Sequence, residues 1–179
     1  MAATAEMQKI ALEIRPYSVT LVPEKRQELT TEGGLDVFAQ KNSLTEFIKP
    51  LTDNGIIVSL FIDPDSKQVE ACSKTGAQFI ELHTGQYAEA FNTDEEEPAF
   101  KSLKNAAIYA GDLDLRVNAG HGLNYLNVKR ILSIKNLEEL NIGHSIISRA
   151  VLVGLDQAVR DMKYLLDNFS SPVYLGREE

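Results

Sequence analysis

The sequence predicts an α/β fold whose parallel strands belong to a (β/α)8, or TIM, barrel. Five short runs with strand character alternate with helical patterns, and no tight hairpin signal joins two of the runs. Strands that alternate with helices are joined by right-handed crossovers, so they run parallel. Each run also has one apolar face and one face that becomes polar towards its end. This alternation favours a barrel over an open sheet.

The elements follow from local signals along the chain. The predicted strands are residues 17–22, 56–62, 77–83, 115–120 and 137–143. The predicted helices are residues 4–14, 43–53, 65–74, 98–109, 125–134 and 144–169. Thr4 caps the first helix, Asn54-Gly55 ends the second, and Pro50 is expected to bend it. The last helix is the longest, because its apolar residues recur every three or four positions throughout.

Composition indicates one globular domain over residues 1–179, with a loose tail at 170–179. The formal net charge of -8, from 26 acidic and 18 basic residues, argues against a nucleic-acid partner. The sequence shows no membrane-spanning run and no signal peptide at its start, so we expect a cytoplasmic protein. The lone Cys72 lies among apolar helix residues and is expected to pack there.

The two faces of the predicted strands differ in chemistry. Helices would cover an apolar face that comprises Val19, Leu21, Val58, Leu60, Ile62, Ile80, Leu82, Val117, Ala119, Leu140 and Ile142. The interior face would carry Thr20, Ser59, Phe61, Asp63, Glu81, His83, Asn118 and Asn141. Because TIM barrels hold their active sites at the carboxyl ends of the strands, these polar groups predict a site there.

The histidines of the chain are His83, His121 and His144, and each falls at the end of a predicted strand. A single such histidine is more often a structural hydrogen-bonding group, but three on one rim favour function. Imidazole suits proton transfer near neutral pH, and a carboxylate such as Glu81 can orient it. Zinc binding is the alternative, although these histidines come from separate strands without the short spacing of ligand pairs.

Small residues follow the last two predicted strands, in the segments GHG (120–122) and GHS (143–145). Backbone N–H groups there can approach an oxyanion, and the second segment opens a helix whose dipole favours an anion. We therefore expect phosphate binding, with simple tight turns as the alternative. The polar loop 23–34 resembles a lid, in which Lys25, Arg26 or Thr30 could reach a phosphate. A merely solvated loop is the alternative there.

Five segments, LVPEKRQELTTEGGLDV, VSLFID, FIELHTGQYA, VNAGHGLNY and ELNIGHSIISRAV, resemble the signature segments of the pyridoxine 5'-phosphate synthase family. The resemblance runs from Met1 to about Lys163. It implies condensation of 1-deoxy-D-xylulose 5-phosphate with 3-amino-2-oxopropyl phosphate to pyridoxine 5'-phosphate, phosphate and water. It also implies no metal or organic cofactor, phosphorylated small molecules as binding partners, and a homo-octamer.

The same resemblance implies roles for individual residues. His121 would be the proton donor and Glu81 the transition-state stabiliser. Thr30 would bind the deoxyxylulose phosphate. The residues that would bind the aminoketone phosphate are Gly122, Gly143 and His144. His83 lies on the rim without an implied role.

The family also has three earlier strands, which carry an asparagine, an aspartate-histidine pair, arginines, a catalytic histidine and a catalytic glutamate. The sequence has no counterpart of these groups. The resemblance therefore implies an incomplete barrel that holds strands four to eight, with Met1 an internal methionine taken as a start. We expect such a chain to fold poorly, because open strand edges pair with other chains, and to be inactive alone.

Two other functions are compatible with these residues. Another phosphate-handling barrel, such as a sugar phosphate isomerase, would use the same fold and phosphate loops. A non-catalytic fragment or interaction module is the alternative from a different class. A panel of substrates would distinguish another phosphate-handling barrel from the synthase. Upstream genomic sequence would distinguish a non-catalytic fragment from an incomplete sequence of the synthase.

Overall fold

The computed structural model describes residues 1–23 and 33–168 of the chain. The strands are β1 (Ser18–Leu21), β2 (Ile57–Ile62), β3 (Phe79–His83), β4 (Arg116–Gly120) and β5 (Leu137–Asn141). The helices are α1 (Ala5–Ile14), α2 (Val37–Asp53), α3 (Ser66–Cys72), α4 (Gly85–Ala90), α5 (Glu96–Asp112), α6 (Val128–Ile131), α7 (His144–Val153) and α8 (Leu155–Asp167). Strands and helices alternate along most of the chain, as predicted.

All five strands form one parallel sheet in the order β1-β2-β3-β4-β5. Leu60 pairs with Ile80, and Leu82 pairs with Ala119, so residues of one face lie side by side. The α/β class is confirmed, and the sheet is compatible with a TIM-like barrel. The single domain over 1–179 and the incompleteness of the barrel stay predictions.

The hydrophobic core lies between the sheet and the helices outside it. Most of the apolar strand residues predicted to be covered by helices are fully buried there. They are Leu21, Val58, Leu60, Ile62, Ile80, Leu82, Val117 and Ala119, while Val19, Leu140 and Ile142 are partly buried against the same core. Cys72 is fully buried in it, and burial raises the pKa of its thiol to about 12. The thiol therefore packs, as predicted.

The helices α2, α6 and α4 differ from the prediction in different ways. α2 begins six residues earlier than expected, because the Asp36 carboxylate accepts a hydrogen bond from the N–H of Ala39 and Val37 is fully buried. α6 is only four residues long. The short helix α4 was missed, because its six residues are too few for a helical repeat to be visible in the sequence.

The prediction of one continuous helix from 144 to 169 is wrong. The helical conformation is interrupted at Gly154, where φ is 85° and ψ is 153°, and this residue separates α7 from α8. The apolar side chains of both helices happen to continue in phase across the break, which is why the pattern suggested one helix. Only glycine adopts this backbone conformation readily. The predicted tail at 170–179 lies outside the described residues.

The first residues of the chain add to the edge of β1. Ala2 forms a parallel bridge with Val22, and the carbonyl oxygen of Met1 accepts a hydrogen bond from the N–H of Val22 at 3.0 Å. The Met1 ammonium donates to the carbonyl oxygen of Thr20 at 2.6 Å. Partial burial lowers the pKa of this amino group, and the nearby Glu81 carboxylate opposes that change. The first residues therefore pair along the edge of β1, with Met1 packed against the hydrophobic core.

Replacement of Gly154 tests the origin of the helix break. We expect Gly154→Ala to destabilise the fold by about 1–3 kcal/mol, because alanine is strained at this φ and ψ. Urea denaturation measures the change. Gly143→Ala is a matched control, since Gly143 has a φ of -120° and a Cβ there would meet nothing within 4 Å. Equal stability of the two variants would contradict this account of the break.

Candidate active site

The carboxyl ends of the strands open onto a cavity of about 770 Å³. Five residues that the sequence singles out, Glu81, His121, Gly122, Gly143 and His144, lie in its wall. The other wall residues are Val22, Pro23, Gly33, Gly34, Phe61, Leu123, Asn124, Asn141, Ile142, Ser145 and Ser148. The carboxyl ends of neighbouring parallel strands have brought these predicted residues to one place, while their chemical roles stay predictions.

Glu81 is a buried carboxylate in this wall. It lies on β3, and only 8% of the residue is exposed. Burial raises the pKa of its carboxyl, and a hydrogen bond with the Asn141 side chain opposes that rise. The charge on Glu139 raises this pKa further, and the charge on His83 lowers it. Water stabilises the Glu81 charge poorly, so a cation that forms beside it would be strongly favoured.

Gly120 fits beside Glu81 because it has no side chain. A Cβ on Gly120 would lie 2.7 Å from Oε1 of Glu81 and 2.8 Å from the carbonyl oxygen of Asn141. Real Cβ atoms do not tolerate such contacts. The glycine at the end of β4 therefore allows β3 and β5 to hold the carboxylate between them.

His121 follows β4 in a left-handed backbone conformation. Its φ angle is 83°, in a region that costs a non-glycine residue about 1–3 kcal/mol. Gly122 continues with a φ of 77°, and a Cβ there would lie 2.7 Å from Cβ of Ala88. The chain therefore turns sharply at these two residues, and His121 reaches the cavity wall from that turn.

His83 lies beside His121, with 4.9 Å between the ring centroids. Its Nδ1 is 3.0 Å from Oδ1 of Asp63, which also accepts a hydrogen bond from the N–H of Gly34 at 3.1 Å. Because an ionised carboxylate can only accept, Nδ1 of His83 carries the proton. The hydrogen bond from His83 is the largest influence on the pKa of Asp63 and lowers this pKa, while burial of the carboxyl opposes the change. Asp63 therefore fixes the tautomer and the orientation of His83.

The amino end of α7 forms another part of the wall. Gly143 is the N-cap, and as a glycine it has no side chain that could accept a hydrogen bond from the first N–H groups of the helix. His144, Ser145 and Ser148 line the cavity from this helix, and the Ser145 hydroxyl donates to the carbonyl oxygen of Leu123. The first N–H groups of a helix have no partner within the helix itself, and the positive end of the helix dipole lies at the same end.

The remaining predictions concern the lid, a metal site and membrane spans. Thr30 and the lid residues Lys25 and Arg26 lie outside the described residues. Within residues 1–23 and 33–168, no three His, Cys, Asp or Glu side chains are arranged to hold a metal ion. None of the helices described has the length and apolar character to cross a membrane.

Sequence reasoning missed two groups that contact the histidines. Asp63 was placed on the interior face, but its pairing with His83, twenty residues away, has no local signal. Thr84 was not singled out at all, although it directly follows His83 and is fully buried against the end of β4. The only available signal was its position after a predicted rim residue.

Comparison with known proteins identifies relatives over nearly the whole chain. The family model described as pyridoxal phosphate biosynthesis protein PdxJ matches residues 1–168. A pyridoxine 5'-phosphate synthase from Thermosynechococcus vestitus is 59% identical over 166 residues, which are 93% of this chain and 70% of that protein. One from Geotalea uraniireducens is 57% identical over 162 residues, which are 90% of this chain and 68% of that protein.

Among solved structures, a xylose isomerase domain protein from Planctomyces limnophilus superposes with a TM-score of 0.54. The match covers 89% of this chain and 66% of that chain, at 13% sequence identity. At this identity the likeness concerns the fold alone.

The pairing of Asp63 with His83 predicts a pH dependence of stability. Since the pKa of Asp63 is lowered in the fold, its contribution is present above its unfolded pKa, near 3.8, and is lost as the pH falls through the folded value. We expect Asp63→Asn to be less stable than the wild type at about pH 6, and this difference to shrink towards about pH 3. Urea denaturation at both pH values measures it. Asp112→Asn, at an exposed position on α5, is the control and should show no such trend.

Burial of Glu81 predicts that its ionised carboxylate destabilises the fold, which is the opposite of the effect expected for Asp63. Since its pKa is raised in the fold, the ionised carboxylate opposes folding at neutral pH, and this opposition fades as the pH falls through the raised value. We expect Glu81→Gln to have a melting temperature equal to or above that of the wild type near pH 7. Thermal melts followed by circular dichroism provide the measurement. A large drop in melting temperature would mean that the carboxylate holds the fold together.

Proposed function

The chain belongs to the family of pyridoxal phosphate biosynthesis proteins PdxJ, and from that premise we propose that its cavity binds phosphorylated small molecules during the synthesis of pyridoxine 5'-phosphate. The reaction proposed is the condensation of 1-deoxy-D-xylulose 5-phosphate with 3-amino-2-oxopropyl phosphate, which releases phosphate and water. The observation that carries the proposal is the meeting of three groups in one wall: the amino end of α7, His121 and the buried Glu81.

Phosphate binding is assigned to the turn after β4 and to the amino end of α7. Gly122, Gly143 and His144 would contact the phosphate of the aminoketone. The support is electrostatic and steric: the amino end of α7 lines the cavity, and Gly143 has no side chain to occupy the space there. Thr30 is assigned to the other phosphate, as the resemblance implies.

Proton transfer and charge stabilisation are assigned to His121 and Glu81. Condensation of an amine with a ketone passes through cationic nitrogen intermediates and requires protonation of the oxygen that leaves as water. His121 would donate such a proton from the cavity wall. Glu81 would stabilise positive charge that develops nearby, because its own charge is poorly solvated before the reaction.

We also propose that residues 1–179 alone do not complete this reaction. Two phosphorylated substrates bring several negative charges into the cavity, yet no lysine or arginine is among the described wall residues. β1 and β5 are the two end strands of the sheet. The family resemblance implies that further strands would join these edges and supply basic groups, in addition to Lys25 and Arg26 of the predicted lid.

We propose that the chain self-associates, and the family resemblance implies an octamer. The support for self-association is an apolar surface on α7 and α8 that nothing covers within the described residues. Exposed members of this surface are Ile147, Val151, Leu152, Val153, Leu155 and Val159. Soluble monomers rarely leave contiguous apolar surface of this kind in water. Light scattering coupled to size-exclusion chromatography measures the assembly.

Gly143→Leu tests the phosphate site, because a Cβ at this position would meet nothing within 4 Å. We expect binding of inorganic phosphate to weaken several-fold or more, since the leucine side chain would occupy the anion position. Amide NMR shifts of residues 143–145 during titration with phosphate report the affinity. Gly143→Ala is the graded control and should lie between the wild type and Gly143→Leu. Identical affinities in all three proteins would contradict the assignment.

Activity measurements test the reaction itself. We expect no formation of pyridoxine 5'-phosphate by residues 1–179, because the resemblance implies that a catalytic histidine and a catalytic glutamate are missing and acid and base groups each contribute about a hundred- to ten-thousand-fold. A version extended upstream with the corresponding residues of the Thermosynechococcus vestitus relative should form the product from both substrates. Comparable activity of the short and extended chains would disprove the second proposal, and product from neither would count against the first.

A further inference from the structure

We infer that Thr84 is a positioning residue, which holds His121 in the backbone conformation that presents its side chain to the cavity. Thr84 lies between β3 and α4 and is fully buried. Its Oγ1 is 2.7 Å from the carbonyl oxygen of Gly120 and 2.5 Å from that of His121. Its own N–H also donates to the carbonyl oxygen of Gly120 at 2.8 Å. One residue therefore binds the peptide groups on both sides of the turn.

Helix capping does not explain the position of this hydroxyl. Threonine at an N-cap ordinarily accepts a hydrogen bond from an N–H in the first helical turn. Thr84 occupies the N-cap of α4 but makes no such bond. The hydroxyl donates instead towards the end of β4, where it contacts the carbonyl oxygens of Gly120 and His121. Its direction therefore serves the segment that carries His121.

The segment needs such support because its conformation is unfavourable. His121 has a φ of 83° without being glycine, and a conformation of this kind persists only where the surroundings hold it. The single hydroxyl proton is shared by the carbonyl oxygens of Gly120 and His121, and the N–H of Thr84 also donates to Gly120, so Thr84 restrains both peptide planes that flank the strained φ. Loss of the hydroxyl would allow the turn to relax and would move the imidazole away from its place in the wall.

Residues next to Thr84 and on the neighbouring strands also surround the ring of His121. Gly85, which directly follows Thr84, would place a Cβ 3.5 Å from Cδ2 of His121 and 2.7 Å from Nε2 of His83. The Phe61 and His83 rings lie 6.4 Å and 4.9 Å from the His121 ring, centroid to centroid. Thr84 thus fixes the backbone where neighbouring groups already limit the side chain.

Thr84→Val and Thr84→Ser test the inference as a pair. Valine keeps the branched shape and removes the hydroxyl, whereas serine keeps the hydroxyl and removes the methyl group. In the 179-residue chain, we expect Thr84→Val to shift the carbonyl ¹³C signals of Gly120 and His121 and the ring signals of His121. Thr84→Ser should leave them near their wild-type positions. Unchanged signals in the folded Thr84→Val protein would overturn the assignment.

The catalytic part of the inference rests on the proposed function, so it is measured in the extended chain. There Thr84→Val should lower kcat by about 100-fold, as expected for a misplaced catalytic group, with KM for both substrates changed only a few-fold. Thr84→Ser should restore most of kcat. If Thr84→Val keeps wild-type kcat, or if KM rises while kcat does not fall, Thr84 is structural and the inference is wrong.

Two further outcomes are distinguishable. If the extended wild type forms no product, the proposed function fails, while the NMR comparison still decides whether Thr84 holds the turn. If Thr84→Val does not fold, Thr84→Ala and Thr84→Ser are compared by the same signals. A Thr84→Ala protein with wild-type signals and wild-type kcat would then overturn the inference.

Discussion

Parallel pairing between β3 and β4 sets the relative positions of the groups around the cavity. In this register Glu81 lies beside Asn118, and His83 lies beside Gly120. A shift by one residue would turn Glu81 towards the helices, where a carboxylate would have only apolar neighbours. Ile80 and Leu82, almost completely buried on the outer face, stabilise the observed register. The apolar face of the strands therefore determines where the polar face presents its chemistry.

The interior face retains polar groups that the fold leaves unsatisfied. Ser59 Oγ, His83 Nε2 and Asn118 Oδ1 are buried, and each lacks a hydrogen-bond partner among the described protein groups. Each such group costs about 1–3 kcal/mol unless another molecule satisfies it. These three polar groups, the buried carboxyl of Glu81 and the strained backbone of His121 all lower the stability of the fold, and all lie on one side of the sheet. Departures from local rules of this kind cluster at functional sites.

Side-chain alternation was sufficient to predict which strand residues face the interior, because it depends only on the two-residue repeat of a strand. Glu81 and the turn after β4 were found in this way. The contacts between Asp63 and His83, and between Thr84 and His121, were not found, because they join residues from different strands whose relative heights depend on register. The break at Gly154 was missed for another reason. A glycine within a helical pattern is compatible both with a continuous helix and with a break, and only tertiary packing decides between them.

The position of α7 has a consequence for how tightly the cavity can hold an anion. None of the side chains of α7 is buried, and Val151 and Leu152 are 82% and 86% exposed. A helix with so little apolar burial has a small free energy of local unfolding, so its amides should exchange with solvent early. An anion that requires a folded α7 binds with an affinity reduced by the fraction of molecules in which that helix is formed. Any surface that covers Val151 and Leu152 would therefore tighten anion binding from the far side of the helix, without contacting the anion.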